Sequence, residues 1–246
     1  MKFTAVARDD VAPSDRHPMG HAAAGVRDAR LLSPPEHPLW LVDLVLADGG
    51  RLEWGTDHGD EALYVLDGAA TVDGRACPAG GAVVLEAGVA AALVAEGNLR
   101  VAHFGAPPGL HHDGRSVHVF GPNGQWLSGR LEGVRATWFT DSTCPTCRAA
   151  FFVVQSPDRF RGPPHSHSQA EVIYLIEGGV RMGARTYGPG TALSIPADVR
   201  YAFDGLEGGH RFLNFRAGTS YQTNAGAAPL LETAAAREGV HTGDLR

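Results

Sequence analysis

Residues 163–178 read PPHSHSQAEVIYLIEG, with His165 and His167 one residue apart and Glu171 four further on. Side chains at i and i+2 of a strand share a face, so the two imidazoles can enter one cavity, and Glu171 has the same parity. Two neutral imidazoles and a carboxylate form the facial triad that holds a divalent transition metal and leaves positions open for substrate and O₂. Fe(II) suits this set first, and Mn, Ni, Co or Zn would accept the same donors. Gly162, Pro163 and Pro164 stiffen the entry to the pair. The competing reading is two ordinary surface histidines at a strand edge. Glu171 and Gly178 at fixed spacing weigh against it.

Cys144-Pro-Thr-Cys147 is the next signal. A C-x2-C pair can be half of a zinc knuckle, a redox dithiol or a reduced pair in a turn. Cys77 is the only other cysteine, which excludes a four-cysteine zinc site within one chain. A reduced pair is the expectation, with a reversible disulfide as the alternative. His111, His112 and His118 lie in a Gly/Pro loop without ligand periodicity and are expected in solvent.

The elements that must position these groups read as short apolar runs, ALYVLDG, GAVVLEAG, VIYLIEGG and YGPGTALSIPAD, broken by Gly, Asp and Pro. That punctuation predicts β-sandwich or barrel architecture. The 32 glycines and 16 prolines fit it better than a helical bundle. An internal repeat organises the chain: residues 41–68 fall on 151–178 without a gap, pairing Glu61 with Glu171, Tyr64 with Tyr174 and Gly68 with Gly178. The register slips by one before the last strand, where LRVAHFG (99–105) pairs with HRFLNFR (210–216). Two copies of one fold follow. The expected division is an arm over 1–36, an N-terminal barrel over 37–105, a connection over 106–130, a C-terminal barrel over 131–217 and a tail over 218–246. SVHVF and GVRATWFTD in and after the connection read as strands. PLLETAAAREG, from Pro229 to Gly239, reads as one short helix.

By strand parity Ile173 and Leu175 share the face of Glu171, Val180 and Met182 continue it, and Phe212, Asn214 and Arg216 alternate on the last strand. The opposite choice, with Leu213 and Phe215 inward, leaves Asn214 and Arg216 in solvent. An inward arginine would suit a carboxylate-bearing substrate.

A formal net charge of −6 argues against a nucleic-acid surface, and no apolar run approaches the ~20 residues of a membrane span. The first residues lack the apolar stretch of a signal peptide, and three cysteines do not make a disulfide framework, so a cytoplasmic protein is expected. No phosphate-binding glycine loop and no Gly-x-Ser-x-Gly elbow is present.

His165-x-His167-x3-Glu171-x6-Gly178 matches the first motif of the cupins, and Gly190-x5-Pro196 begins like their second. The chain resembles a bicupin over about residues 38–105 and 140–217. The resemblance implies an all-β protein of two jelly-roll barrels in one chain, with one divalent transition metal held by His165, His167 and Glu171. It places Tyr201 where the family's fourth ligand, usually histidine, stands. Asp198 replaces a motif glycine and Gly205 an asparagine. Tyr201 is then an anionic ligand, a hydrogen-bond donor near the metal or an aromatic wall, with the last two preferred. In the N-terminal copy Gly55 and Asp57 replace the histidines, which leaves Glu61 with at most Asp57 and the off-register His58, and that barrel reads as degenerate and metal-free. Three functions are carried forward. The first is a non-haem-metal dioxygenase, an oxidoreductase acting on a small organic substrate in a pocket lined by Ile173, Leu175, Met182, Asn214 and Arg216. The second is a metal-dependent hydrolase or isomerase on the same barrel. The third is a non-catalytic small-molecule-binding or sensory cupin. The expected partners are a small molecule and, as an option, a second copy in a homodimer.

Overall fold

The computed structural model describes residues 2–109, 114–128, 133–147, 149–224 and 226–233. The first half contains β1 (Thr4–Ala7), a 3-10 turn at Arg8–Asp10, β2 (Ala22–Leu31), β3 (Trp40–Trp54), β4 (Glu61–Val72), β5 (Arg75–Pro78), β6 (Ala82–Leu85), β7 (Ala91–Gly105) and β8 (Val117–Phe120). The second contains β9 (Trp126–Ser128), β10 (Arg135–Thr140), β11 (Ala150–Ser156), β12 (Arg161–His167), β13 (Glu171–Met182), β14 (Arg185–Tyr187), β15 (Thr191–Ile195), β16 (Tyr201–Arg216), β17 (Tyr221–Asn224) and β18 (Leu230–Leu231). No described helix is long and apolar enough to cross a membrane.

These strands close into two jelly-roll barrels. One sheet runs β2-β3-β7-β4-β6-β8 with β5 against β4. The other follows β1-β15-β13-β16-β11-β10-β9, with β12 against β16 and β17, β14 against β13, and β18 against β17. The repeat is visible strand by strand: β4 and β13 start on Glu61 and Glu171, and β7 and β16 start on Ala91 and Tyr201. SVHVF and GVRATWFTD fall on β8 and β10.

Gly68 and Gly178 sit at matching interruptions in the β4–β7 and β13–β16 ladders. Their φ angles are +83° and +63°. An added Cβ would meet the Asn98 carbonyl oxygen at 2.2 Å and the Gly209 carbonyl oxygen at 2.0 Å, respectively. Both a left-handed backbone and a close crossing therefore require glycine there.

Each barrel has its own apolar interior, built from Leu63, Val65, Val83 and Val101 in one and from Ile173, Leu175, Leu193 and Phe212 in the other. A third cluster, containing Tyr64, Phe104, Phe139, Phe151, Tyr174, Leu213 and Phe215, seals the two barrels face to face. This explains why both parities of the last strand read as apolar. Leu213 and Phe215 go to the inter-barrel seam, while Asn214 and Arg216 point into the C-terminal barrel at 2 % exposure each. Across the seam, Arg211 donates to the Tyr64 hydroxyl (2.6 Å) and Arg100 to the Tyr174 hydroxyl (3.4 Å).

Two expectations change. Residues 1–36 are not an arm lying on the body: β1 extends the C-terminal sheet through β15, and β2 extends the N-terminal sheet through β3. β2 is an edge strand whose first four residues are exposed, which is why it shows no clean apolar alternation. The stretch read as a helix contributes strand β18 at Leu230–Leu231, paired with β17; from residue 234 it lies outside the described residues, as do His111 and His112.

Candidate functional site

In the C-terminal barrel, β12 carries His165 and His167, β13 begins at Glu171, and β16 brings Tyr201 opposite His165 and ends on Arg216. Arg216 organises the floor. Its Nε and Nη2 donate to Glu171 Oε2 (3.1 and 2.8 Å), and its Nη1 donates to Glu232 Oε1 (2.8 Å). Its Nη2 also lies 3.2 Å from His167 Nε2. A guanidinium only donates, so His167 Nε2 accepts, and the ring proton sits on Nδ1, 2.9 Å from Glu232 Oε2. Asn214 Nδ2 donates to the same Glu171 oxygen (2.8 Å), which fixes its amide orientation and leaves its buried Oδ1 without a partner. Burial works against ionisation of Glu171, but His167, Arg216, Tyr201 and Asn214 outweigh it and hold the carboxyl well below its usual range.

The triad of His165, His167 and Glu171 is therefore not arranged around a free central point. The His167 Nε2 lone pair and Glu171 Oε2 both face the Arg216 guanidinium, while Glu171 Oε1 is buried without a hydrogen-bond partner among the described residues. His165 turns its Nδ1 to the Pro163 carbonyl (2.7 Å). The triad is not among the described groups whose ligand atoms all lie within 4.8 Å of one another. A cation already fills the place, and the residues present do not fit a metal there.

Above this floor lies a cavity of about 240 Å³. Phe152, Phe160, Ile173, Phe203 and Phe212 form apolar walls, and His165, His167, Tyr201, Asn214 and Arg216 form the polar end. Leu175 and Met182, expected in the same lining, instead border a separate void of about 10 Å³ shared with Ile173 and Tyr201. Burial and then Glu171 push the Tyr201 phenol well above its ordinary value, so beside Glu171 and Arg216 alone it stays protonated. Burial lowers His165. With its Nδ1 proton on Pro163, its Nε2 is a bare acceptor.

The N-terminal barrel holds a group that the sequence reading passed over. Asp57 is exposed, and His58 bonds the carbonyls of Gly59 (2.7 Å) and Val89 (3.0 Å) rather than approaching Glu61. Glu61 instead meets His103 Nε2 on β7 at 2.8 Å and His21 Nε2, just before β2, at 3.0 Å. Trp54 Nε1 donates to it at 2.6 Å, and His17 Nε2 backs His103 Nδ1 at 3.0 Å. His21, Glu61 and His103 bring their ligand atoms within 4.8 Å of one another. Burial opposes the Glu61 charge, but hydrogen bonds from His103 and His21 bring its pKa to about 2. Burial pushes His17 down to about 2 and lowers His103 as well, which favours the neutral form of both rings. The premise that this barrel offers only Asp57 and His58 beside Glu61 is corrected. His103 was findable, because the repeat sets it against Asn214, on the inward parity. His17 and His21 belong to the first 36 residues, which lie outside the repeat, where no spacing announces them.

A scan against protein-family models finds no match, and a search of curated proteins finds none either. Solved structures are similar. A formate complex of an oxalate decarboxylase from Lactobacillus farciminis superposes with a TM-score of 0.67 at 14% identity, covering 89% of this chain and 88% of that one. The E. coli protein YlbA gives 0.66 at 15% identity, covering 88% and 90%. A candidate dioxygenase of Nostoc punctiforme gives 0.64 at 12% identity, covering 94% and 87%. At these identities the likeness concerns the fold alone, two jelly-roll barrels in one chain.

Proposed function

We propose that this protein binds a small organic molecule in the C-terminal barrel, one with an apolar body and a hydrogen-bond-donating head. The observation that carries the reading is Arg216 seated between His167 and Glu171, which turns a metal-ligand set into a metal-free polar floor. An inward arginine alone would call for a carboxylate ligand. Here Glu171 and Glu232 both bind it, so the floor carries one more negative than positive charge and disfavours an anion. At the floor of the cavity Asn214 Oδ1 and His165 Nε2 are acceptors, which ask for an O–H or N–H. The aromatic walls supply most of the affinity by burying apolar surface. Three probes with one body separate the cases: benzylamine, benzyl alcohol and benzoate, titrated by calorimetry. The amine and alcohol are expected to bind and benzoate not. Benzoate binding tightest would overturn the reading.

A second reading, a metal-dependent enzyme, rests on His21, Glu61 and His103 in the N-terminal barrel. Two imidazoles and a carboxylate fit Fe(II) or another divalent transition metal, and among the described residues the buried Glu61 charge has no Lys or Arg hydrogen-bond partner. A metal held there would supply a Lewis-acid centre with positions open to substrate. In this arrangement His17 orients His103 from behind, the Trp54 N–H fixes Glu61, and Trp40 and Trp54 flank the imidazoles and keep water away. Oxalate decarboxylases and the candidate dioxygenase share the fold, which supports keeping an oxidoreductase in view.

A further inference from the structure

Away from both barrel interiors, the loop between β10 and β11 folds Cys144 and Cys147 onto Glu86, the residue after β6. The two sulfurs and a Glu86 oxygen lie within 4.8 Å of one another, and neither cysteine is in a disulfide. Glu86 is 1 % exposed and Cys147 fully buried. The carboxylate is aimed: the Arg115 and Ser116 N–H groups hold Oε2 (2.6 and 3.1 Å), which directs Oε1 at Thr146 Oγ1 (2.6 Å), Cys144 Sγ (3.8 Å) and His118 Nε2 (2.9 Å). The Cys147 N–H also points at Cys144 Sγ (3.3 Å).

From these contacts we propose that Cys144, Cys147, Glu86 and His118 form a zinc site. Two thiolates at C-x2-C spacing, a carboxylate and an imidazole supply the four ligands of a closed tetrahedral centre. The backbone N–H groups on Glu86 Oε2 play the outer-sphere part that such ligands require, holding one oxygen so that the other is presented to the metal. The partly exposed His118 leaves a route for the ion. A zinc ion here would tie the inter-barrel loop, whose Cys147 packs in the seam, to β6 and β8 of the N-terminal barrel.

The test is Co(II) substitution in the full-length chain. The expected result is a near-ultraviolet thiolate-to-cobalt band that saturates at one thiolate-bound equivalent per chain, with the intense visible bands of a tetrahedral ion, displaced by Zn(II). Cys144→Ser is expected to abolish the thiolate band. Glu61→Gln, in the other candidate metal group, is expected to leave it intact. His118→Ala is expected to weaken zinc binding at least tenfold while three ligands remain. Since the wild-type spectrum is read directly, a variant that folds poorly does not blunt the test. Absence of a thiolate band in the reduced wild type overturns the proposal, as does a band that survives Cys144→Ser. So does recovery of the pair as a disulfide that exchanges with glutathione while the reduced form takes up no zinc.

Discussion

Arg216→Met tests the reading of the C-terminal floor most directly. Arg216 is 2 % exposed and makes three hydrogen bonds to carboxylates and one to His167. Methionine fills much of the volume but leaves Glu171 and Glu232 facing each other without a cation. Breaking a buried ion pair by removing one partner costs about 3–5 kcal/mol. For a chain of this length that corresponds to a fall in Tm of roughly 6–20 °C at pH 7. The pH dependence gives a second handle. In the wild type Glu171 lies below its unfolded pKa, so its contribution is complete above the unfolded value and is lost as pH falls through the folded one. In the variant its pKa rises above the unfolded value, so acidification favours the variant and the deficit shrinks toward pH ~5. Denaturant unfolding followed by tryptophan fluorescence at pH 7 and pH 5 measures both. A deficit below ~1 kcal/mol at pH 7, or one that does not change with pH, would refute the seating of Arg216 between the two carboxylates.

His210 is buried in the C-terminal barrel against Phe203 and Phe212, with neither ring nitrogen partnered, and burial brings its pKa from 6.5 to about 4. The unfolded chain binds a proton that the folded chain refuses, so stability drops as pH falls from 6.5 toward 4; His210→Leu should remove about 2 kcal/mol of the loss between pH 7 and 5. Equal pH slopes in denaturant titrations of the two proteins would contradict this. For the N-terminal group, Glu61→Gln and His21→Ala should each lower Fe(II) or Co(II) uptake, measured by elemental analysis, below the wild-type level. Unchanged content would leave the His21, Glu61 and His103 group a plain hydrogen-bond network.

Much of the scaffold was legible because it is written twice. The repeat set Glu61 against Glu171, where β4 and β13 begin, and Gly68 against Gly178, at the crossings where a Cβ cannot fit. Parity put Ile173 on the face of Glu171, and Ile173 lines the cavity beside Asn214 and Arg216. It left open which face of β16 is interior, because a seam between two barrels is as apolar as a core and hydrophobicity cannot tell them apart. The site was less legible for a different reason. Spacing identifies residues able to bind a metal, but not the cation that arrives from elsewhere. Arg216 reaches the triad from the end of β16, and its second carboxylate, Glu232, comes from a stretch whose local pattern reads as helix.

The seam has one more consequence. Arg211 reaches the tyrosine of the other half, and Arg100, its counterpart in the repeat, does the same in return. Such reciprocity is the mark of an isologous, two-fold interface between identical subunits. The chain thus encloses within itself the dimer that a single barrel would otherwise have to find by diffusion. Each half covers the apolar face of the other, so the two interiors stay separate: one gathers histidines around Glu61 while the other closes on an arginine.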